Sequence, residues 1–375
     1  MLTGLAGVLL SAGSAGAMAA GEPIEKGNAM SNDQGFYLCA MTPEPGGGIF
    51  RYRLNADRHP EQLSFAPLAG SNYLAFSPDR KTLYSTCIID QAGGVAAFRI
   101  HPDGSLALLN QLPSRGKSTC YVIAAPSGKY LYCANYSSGS ITEFSLNADG
   151  SLKALERLIE YHGSGRLPRQ STPHPHFTNI TPDGKYLCVT DLGLDTLTLY
   201  PFEDATGRIK LESPHIFKVE PAGSGPRHLL FNRKGDRAYL LNELGNTVIV
   251  LKYSGGRFES MQLLPTLPAD CPKESKAAAI RLSPDGRFLY ASNRGYDSVA
   301  VYEVKPEDGT LIFRELVESG GSSPRDINFL PGGRAFATAN EFSDRVVFFD
   351  FDAATGKITP SGETVTMPRP LAIYW

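Results

Sequence analysis

A segment of about eleven residues recurs six times along the chain, and it constrains the fold more than any other feature. Each copy joins a turn of the P-D-G type to a short apolar run, as in "TPDGKYLCVTD" and "SPDGRFLYASN". The copies begin at Ser77, Ala125, Thr181, Asn232, Ser283 and Leu330, so neighbouring copies lie 47 to 56 residues apart. A period near 50 with strand-like units is typical of a β-propeller or another β-array.

The residues around each turn predict four strands per repeat. An apolar run such as "HLLFN" precedes the turn, and a second run such as "FLYASN" follows it. After a polar corner comes an alternating segment such as "SVAVYEV", and a turn such as "PEDG" leads to a short last strand. The 38 glycines and 27 prolines fit a chain of short strands joined by turns. Four strands are the content of one propeller blade.

The two ends of the chain hold the pieces of one more blade. "GFYLCAM" (35–41) and "GGIFRYRL" (47–54) look like second and third strands, whereas "RPLAIYW" (369–375) looks like a first strand. If the C-terminal strand pairs with the N-terminal ones, the ring closes and no sheet edge is left exposed. We therefore predict an all-β protein with a single seven-bladed β-propeller domain over residues 34–375.

The composition limits the partners of such a domain. The formal net charge is −2, so no overall basic field attracts nucleic acid or a membrane surface. The six cysteines contain no CxxC pair and no zinc-type spacing with histidine. We expect most of them to be small buried hydrophobic residues, without a disulfide framework. The sequence does not define the oligomeric state, for which a monomer is one expectation.

Residues 1–33 differ from the repeats and form a signal-like or disordered leader. They carry no charge before Glu22, their apolar run is too short to span a bilayer, and Ala17-Met18-Ala19 gives a cleavage-site pattern. A basic first region is missing, so the segment resembles the later part of an export signal. Two interpretations stay open: export with leader removal, or a cytoplasmic protein whose translation starts at Met30.

The turn glycine, or its equivalent, allows the blades to be aligned by counting. The first-strand position eight residues before it holds Asn72, Cys120, His176, Arg227, Ala278 and Arg325, and we place Arg369 similarly in the closing strand. The innermost strands of a propeller line its central channel. This first column is therefore expected to form a ring at one mouth of the channel.

A second column lies eight residues after the same glycine. It holds Ile88, Tyr136, Leu192, Glu243, Arg294 and Glu341. In both columns charged residues occupy positions that are apolar in other blades, and burying charge is costly without a partner. Such a patch suits a small anionic ligand, with Arg325 as one candidate contact. The structural alternative is a network of salt bridges between blades.

The position just before the second column is Asn or Asp in most blades. It holds Cys87, Asn135, Asp191, Asn242, Asn293 and Asn340. These side chains commonly bond nearby backbone, so the pattern predicts capping of the turn at the strand end. Asp191 and Asn293 also remain candidate substrate contacts.

The sequence "TPHPHF" contains an H-x-H pair, which also occurs in metal sites. We found no third ligand at a suitable spacing, so we expect no metal. His176 falls in the first column. His174 lies two positions upstream, where it could contact substrate or shape the chain before the strand.

Several of these segments resemble the lactonase family of seven-bladed propellers, which includes propeller-type 6-phosphogluconolactonases and a carboxy-cis,cis-muconate cyclase. The resemblance covers roughly residues 35–375, and its more specific motifs are G-x-x-P-R-H and S-N-R-G in register with the blades. It implies a site of one histidine, two arginines and a glutamate, which here are His176, Arg227, Arg294 and Glu243. This chain has a longer segment before H-P-H, in which Arg166 and Arg169 could reach a phosphate or be solvated.

The resemblance implies hydrolysis of a small anionic or sugar lactone, without metal or cofactor. A general base must activate water and donors must stabilise the oxyanion. His176 suits the base, Arg227 and Arg294 suit the anion, and Glu243 could orient them or serve as base. No G-x-S-x-G motif supports a serine nucleophile. The alternatives are a cycloisomerase of a muconate-type diacid and a non-enzymatic binding module. An exported protein could instead act on an unphosphorylated lactone.

Overall fold

A computed structural model describes residues 35–42 and 46–375, which form antiparallel strands and two short 3-10 helices, Pro168–Gln170 and Glu341–Ser343. The predicted leader, residues 1–33, lies outside the described residues. The strands are β1 (Phe36–Ala40), β2 (Gly48–Leu54), β3 (Pro60–Pro67), β4 (Leu74–Phe76), β5 (Thr82–Ile89), β6 (Ala92–Ile100), β7 (Leu106–Pro113), β8 (Thr119–Ala124), β9 (Tyr130–Asn135), β10 (Ser140–Leu146), β11 (Leu152–Glu160), β12 (Pro175–Ile180), β13 (Tyr186–Asp191) and β14 (Thr196–Pro201). They continue with β15 (His215–Lys218), β16 (Pro226–Phe231), β17 (Arg237–Asn242), β18 (Thr247–Ser254), β19 (Arg257–Pro265), β20 (Lys276–Leu282), β21 (Phe288–Arg294), β22 (Ser298–Val304), β23 (Leu311–Glu318), β24 (Pro324–Phe329), β25 (Ala335–Asn340), β26 (Arg345–Phe351), β27 (Ile358–Thr366) and β28 (Pro370–Tyr374).

The strands form seven four-stranded sheets, which we number as blades. Blades 1 to 6 each contain four consecutive strands: β4–β7, β8–β11, β12–β15, β16–β19, β20–β23 and β24–β27. Blade 7 has the strand order β28-β1-β2-β3, with Leu38 opposite Ile373 in an antiparallel pair. The predicted seven-bladed propeller, closed by pairing of the C-terminal strand with the N-terminal strands, is confirmed.

The repeated P-D-G turn has a specific structural function between the first and second strands. In blade 3 the Asp183 carboxylate accepts hydrogen bonds from the Thr181 hydroxyl at 2.6 Å and from the Lys185 backbone at 3.1 Å. Gly184 follows with φ 69°, a left-handed conformation that glycine adopts without a steric penalty. The aspartate and the glycine together fix the length of the hairpin, and therefore the register of the strands on either side.

A tyrosine in the second strand connects neighbouring blades. Its ring is buried, and its hydroxyl donates to the carbonyl of a glycine in the loop between the third and fourth strands of the next blade. Such pairs are Tyr37–Gly104, Tyr84–Gly150, Tyr239–Gly309 and Tyr290–Gly356. The recurrence of tyrosine after the turn therefore reflects packing between blades, since a buried hydroxyl needs a partner.

In blades 2, 3, 4 and 6 the first strand contains a β-bulge near its beginning, and this bulge determines which side chains face the channel. Register shifts fall between Thr119 and Tyr121, Pro175 and Phe177, Pro226 and His228, and Pro324 and Asp326. The residues left without a partner in the ladder are Cys120, His176, Arg227 and Arg325. A bulge re-aims side chains, so the first column consists largely of bulge residues.

Five of the cysteines, Cys39, Cys87, Cys120, Cys133 and Cys188, are buried, and Cys271 is partly exposed. The described part of the chain contains no helix with the length and apolarity needed to cross a membrane.

Candidate active site

Most residues of the first column line a cavity at one mouth of the central channel. Its lining residues are Asn72, Tyr73, Cys120, His176, Arg227, His228, Arg325, Asp326 and Leu371. Ala278 contributes its carbonyl oxygen, which accepts a hydrogen bond from Nη1 of Arg227. Counting from the repeated turn therefore located the cavity from the sequence.

The placement of Arg369 in this ring was wrong, because Leu371 occupies the position. The backbone N–H of Met41 bonds the carbonyl of Arg369, just as the N–H of Glu243 bonds that of Gly225. Arg369 is thus the equivalent of Gly225, two residues before the ring. The closing strand has no P-D-G turn of its own, so no glycine was available from which to count.

Glu243 lies between two arginines at the cavity. Its Oε2 is 3.0 Å from Nε of Arg227 and 2.7 Å from Nη2 of Arg294, and the side chains of Glu243 and Arg227 are almost completely buried. Burial acts to raise the pKa of Glu243, but Arg294, Arg227 and Arg325 outweigh it and hold that pKa below its usual value. Glu243 is therefore a stable carboxylate that holds both guanidinium groups in place.

A second ion-pair group lies on the adjacent side of the mouth. The Glu341 carboxylate is 3.5 Å from Nη1 of Arg325 and 2.5 Å from Nη2 of Arg369. The Glu243–Arg294 pair joins blades 4 and 5, so the inter-blade salt bridges that we considered as an alternative are present. They coexist with unused hydrogen-bonding capacity, because Nε of Arg294 is buried without a partner among residues 35–42 and 46–375.

His176 is a buried, neutral imidazole beside these arginines. It is 5% exposed, and its Nδ1 has no hydrogen-bond partner in the described part of the chain. Burial lowers its pKa well below 6.5, and the charges of Arg227, Arg325 and Arg294 lower it further. The unpaired nitrogen therefore has a free lone pair or N–H to offer to a water molecule or ligand.

His228 is a site residue that the sequence analysis did not identify. Its ring lies 5.5 Å from that of His176, and its Nε2 accepts a hydrogen bond from Nη1 of Arg227 at 3.0 Å. Burial and the charge of Arg227 lower its pKa well below the usual value. Alternate residues of a regular strand face opposite sides, but a register shift between Pro226 and His228 allows the neighbours Arg227 and His228 both to line the cavity.

Asp326, a lining residue that the sequence pattern does not identify, forms a buried ion pair with Arg281. Asp326 accepts a hydrogen bond from Nη2 of Arg281 at 2.9 Å and from the backbone N–H of Ile373 at 2.9 Å. Arg281 comes from blade 5, Asp326 from blade 6 and Ile373 from blade 7. This pair therefore connects the closing strand to the two blades before it.

Asp191 and Asn293 are in strand-end turns. Oδ1 of Asp191 accepts backbone hydrogen bonds from His174, Gly193 and Leu194, and burial raises the pKa of Asp191 to about 6. The Asn293 amide donates to the Thr266 carbonyl and the Ser298 hydroxyl. Both side chains are inaccessible to solvent. The geometry of Asp191 matches the predicted capping of nearby backbone, whereas Asn293 bonds Thr266 of the neighbouring blade and the Ser298 hydroxyl. A substrate contact by either residue stays a prediction.

His174 also has a structural environment. Its Nδ1 lies 2.9 Å from the carbonyl of Tyr136 and its Nε2 lies 3.1 Å from the carbonyl of Arg169, while its ring stacks on Tyr136. Both nitrogens are thus engaged with backbone, and His174 supports the rim rather than facing the cavity. No group of three His, Cys, Asp or Glu side chains suited to a metal occurs among the described residues.

The fold and the site together define a closed propeller whose channel mouth carries a buried Arg–Glu–Arg cluster beside a neutral histidine. Such a site can bind a small anion and accept a proton from water. The sequence model described as "Lactonase, 7-bladed beta-propeller" matches residues 35–375, and the chain belongs to this family.

The names of individual relatives fit the assignment to this family. A 6-phosphogluconolactonase of Bacillus subtilis is 38% identical over 213 residues, which are 56% of this chain and 60% of the Bacillus protein. The solved structure of a periplasmic gluconolactonase from Pseudomonas aeruginosa superposes with a TM-score of 0.84 at 32% identity, covering 90% of this chain and 98% of that one. A Bacteroides fragilis structure with a provisional 6-phosphogluconolactonase name gives a TM-score of 0.84 at 34% identity, over 92% and 99% of the two chains.

Proposed function

We propose that this protein hydrolyses a sugar lactone, with a 6-phosphogluconolactone-type substrate as the first candidate. The observation that carries the proposal is the unpaired Nδ1 of neutral His176 beside the Arg227–Glu243–Arg294 cluster. The names of the Bacillus and Pseudomonas relatives support the same reaction.

The proposed reaction begins with water bound next to His176. The imidazole takes a proton as the water oxygen adds to the lactone carbonyl carbon, and the carbonyl oxygen becomes an oxyanion. Arg227 and Arg294 stabilise this oxyanion by charge and hydrogen bonding. The ring C–O bond then breaks, and the leaving alkoxide receives the proton from the imidazolium. The product is the open hydroxy acid, and no metal or cofactor takes part.

His176 is a better candidate for the base than Glu243. The Glu243 carboxylate is engaged by two arginines, and its lowered pKa makes it a weak proton acceptor. In the free protein the pKa of His176 is also low, because of burial and the neighbouring arginines. An oxyanion or a substrate anion at those arginines offsets their charge and therefore favours imidazolium formation during the reaction. We assign Glu243 the orientation of Arg227 and Arg294.

The leader and the rim bear on the choice between phosphorylated and unphosphorylated sugar lactones. Arg169, in the segment before β12, places its guanidinium 5.3 Å from the centre of the Tyr136 ring. A cation at the rim suits a phosphate at the far end of a sugar lactone. Export of the protein would instead favour an unphosphorylated aldonolactone, as the name of the periplasmic Pseudomonas relative suggests for that protein.

The test is a lactonase assay on wild type, His176→Ala and His176→Gln with phosphorylated and unphosphorylated gluconolactone, a simple γ-lactone and a muconolactone. Rates are taken above spontaneous hydrolysis. We expect kcat to fall roughly 10²- to 10⁴-fold in both variants. His215→Ala is the control, since His215 bonds the Gly256 carbonyl in an outer strand. Full activity in His176→Ala would overturn the base assignment, and no turnover of any lactone would overturn the function.

A further inference from the structure

Tyr136 occupies the rim position that holds Glu243, Arg294 and Glu341 in later blades. Its hydroxyl oxygen is buried and has no hydrogen-bond partner within residues 35–42 and 46–375. Buried hydroxyls in folded proteins are normally bonded, because a donor left unpaired loses its hydrogen bonds to water. The unpaired hydroxyl therefore indicates that Tyr136 has a function other than packing.

The ring of Tyr136 is held on three sides. It stacks on the His174 ring with a centroid distance of 4.4 Å and an interplanar angle of 8°, while the Arg169 guanidinium lies 5.3 Å from its centre. The His176 ring meets it at 5.6 Å and 81°. His174 is fixed in turn by its contacts with backbone carbonyls and with Asp191. The protein thus fixes the direction of an unpaired hydroxyl next to the candidate base.

The hydroxyl is within electrostatic reach of the Arg–Glu–Arg cluster. Burial raises the pKa of Tyr136 to about 12, with a further contribution from the negative charge of Glu243, while Arg169 and Arg227 act in the opposite direction. The phenol therefore keeps its proton at neutral pH and can donate it in a hydrogen bond. Three unpaired polar atoms, on His176, Arg294 and Tyr136, consequently belong to one channel mouth.

We propose that the Tyr136 hydroxyl is a substrate-binding group, which donates a hydrogen bond to an oxygen of the bound sugar lactone. The bound substrate supplies the acceptor that the free protein lacks. Unlike His176, the hydroxyl exchanges no proton in the proposed mechanism. This inference rests on the proposed function for the identity of its ligand.

The test compares Tyr136→Phe with Tyr239→Phe. Tyr239 is also buried, but its hydroxyl donates to the Gly309 carbonyl at 2.9 Å between blades 4 and 5. We expect Tyr136→Phe to lower kcat/KM about tenfold, mainly through KM, because one hydrogen bond to substrate is lost. Its thermal stability without ligand should equal or exceed that of wild type. Tyr239→Phe should show the reverse: lower stability with kcat/KM unchanged.

Binding of the open-chain aldonates, gluconate and 6-phosphogluconate, separates this inference from the proposed function. An active wild type with unchanged kcat/KM in Tyr136→Phe would overturn the assignment of Tyr136 and leave the lactonase proposal standing. If wild type hydrolyses no lactone, calorimetry measures the affinity of wild type and Tyr136→Phe for each aldonate. Weaker binding by Tyr136→Phe than by wild type would support a ligand contact by the Tyr136 hydroxyl. Equal binding by both proteins, or binding by neither, would overturn it. A Tyr136→Phe protein that is less stable than wild type would also overturn it, since the hydroxyl would then have a partner inside the protein.

Discussion

Glu243 of blade 4 and Arg294 of blade 5 form a 2.7 Å ion pair across the boundary between their blades. Since Arg227 shares the same carboxylate oxygen, one negative charge compensates two buried or nearly buried guanidinium groups. Removing that charge should cost more than removing an exposed salt bridge, because the arginines cannot return to water while the fold persists.

Glu243→Gln should therefore destabilise the protein by about 3–5 kcal/mol, and kcat/KM should fall with it. Urea unfolding measures the first effect and the lactone assay the second. Glu341→Gln is the matched control, because the side chains of its partners Arg325 and Arg369 are 23% and 43% exposed, more than those of Arg227 and Arg294. An equal loss of stability in the two variants would contradict the special position of Glu243.

The pH dependence of kcat/KM should report the low pKa of His176. The neutral imidazole is the active form, and burial beside three arginines keeps its folded-state pKa well below 6.5. As the pH falls, activity should thus persist through 6.5 and decline only when the pH reaches the lower pKa. The profile is measured between pH 4.5 and 8, with His215→Ala as a control of unchanged shape. An inflection at or above pH 6.5 would exclude His176 as the base in this environment.

Arg169 should affect phosphorylated substrates selectively. Its guanidinium lies 5.3 Å from the centre of the Tyr136 ring, and Tyr136 in turn contacts His176. Arg169→Ala should lower kcat/KM for phosphorylated gluconolactone roughly tenfold and change the unphosphorylated lactone little. Arg166→Ala, from the same segment, is the control and should leave the preference unchanged. Equal effects of Arg169→Ala on both lactones would mean that this side chain only supports the rim.

Much of the architecture could be predicted because turn chemistry repeats. Gly184, Gly235 and Gly333 stand at the same place in their turns and all have positive φ. They set a fixed distance to the channel, so His176, Arg227 and Arg325 could be placed from counting alone. The same reasoning misplaced Arg369, since the last strand has no such turn.

The remaining site residues depend on three-dimensional effects that a linear pattern does not carry. His228 and Asp326 face the cavity because of the bulge, which breaks the alternation expected of a strand. Tyr136 stood in the second column, yet what distinguishes it is the missing partner of its hydroxyl in the described structure. Burial and hydrogen-bond satisfaction are properties of packing, so residue type and spacing could not reveal them.

Pairing of β28 with β1 should be necessary for a soluble, cooperatively folded propeller. The closing strand pairs with β1, and the Ile373 backbone N–H donates to Asp326, which lines the cavity. Deleting residues 368–375 would expose the edge of β1 and remove a donor from the buried Asp326 carboxylate. We expect the truncated protein to aggregate, as judged by light scattering and loss of cooperative unfolding.

A circular permutant provides the control for this deletion. Tyr374 lies opposite Tyr37, so the end of β28 adjoins the beginning of β1 and a short hairpin turn can join them. A chain that runs from residue 368 to 375, through that turn, and then from 35 to 367 keeps the sheet order β28-β1-β2-β3. It should fold cooperatively and retain lactone hydrolysis, because the same strands are paired in the same register. A soluble, cooperatively folded truncated protein would show instead that six blades and the remaining three strands are sufficient without closure.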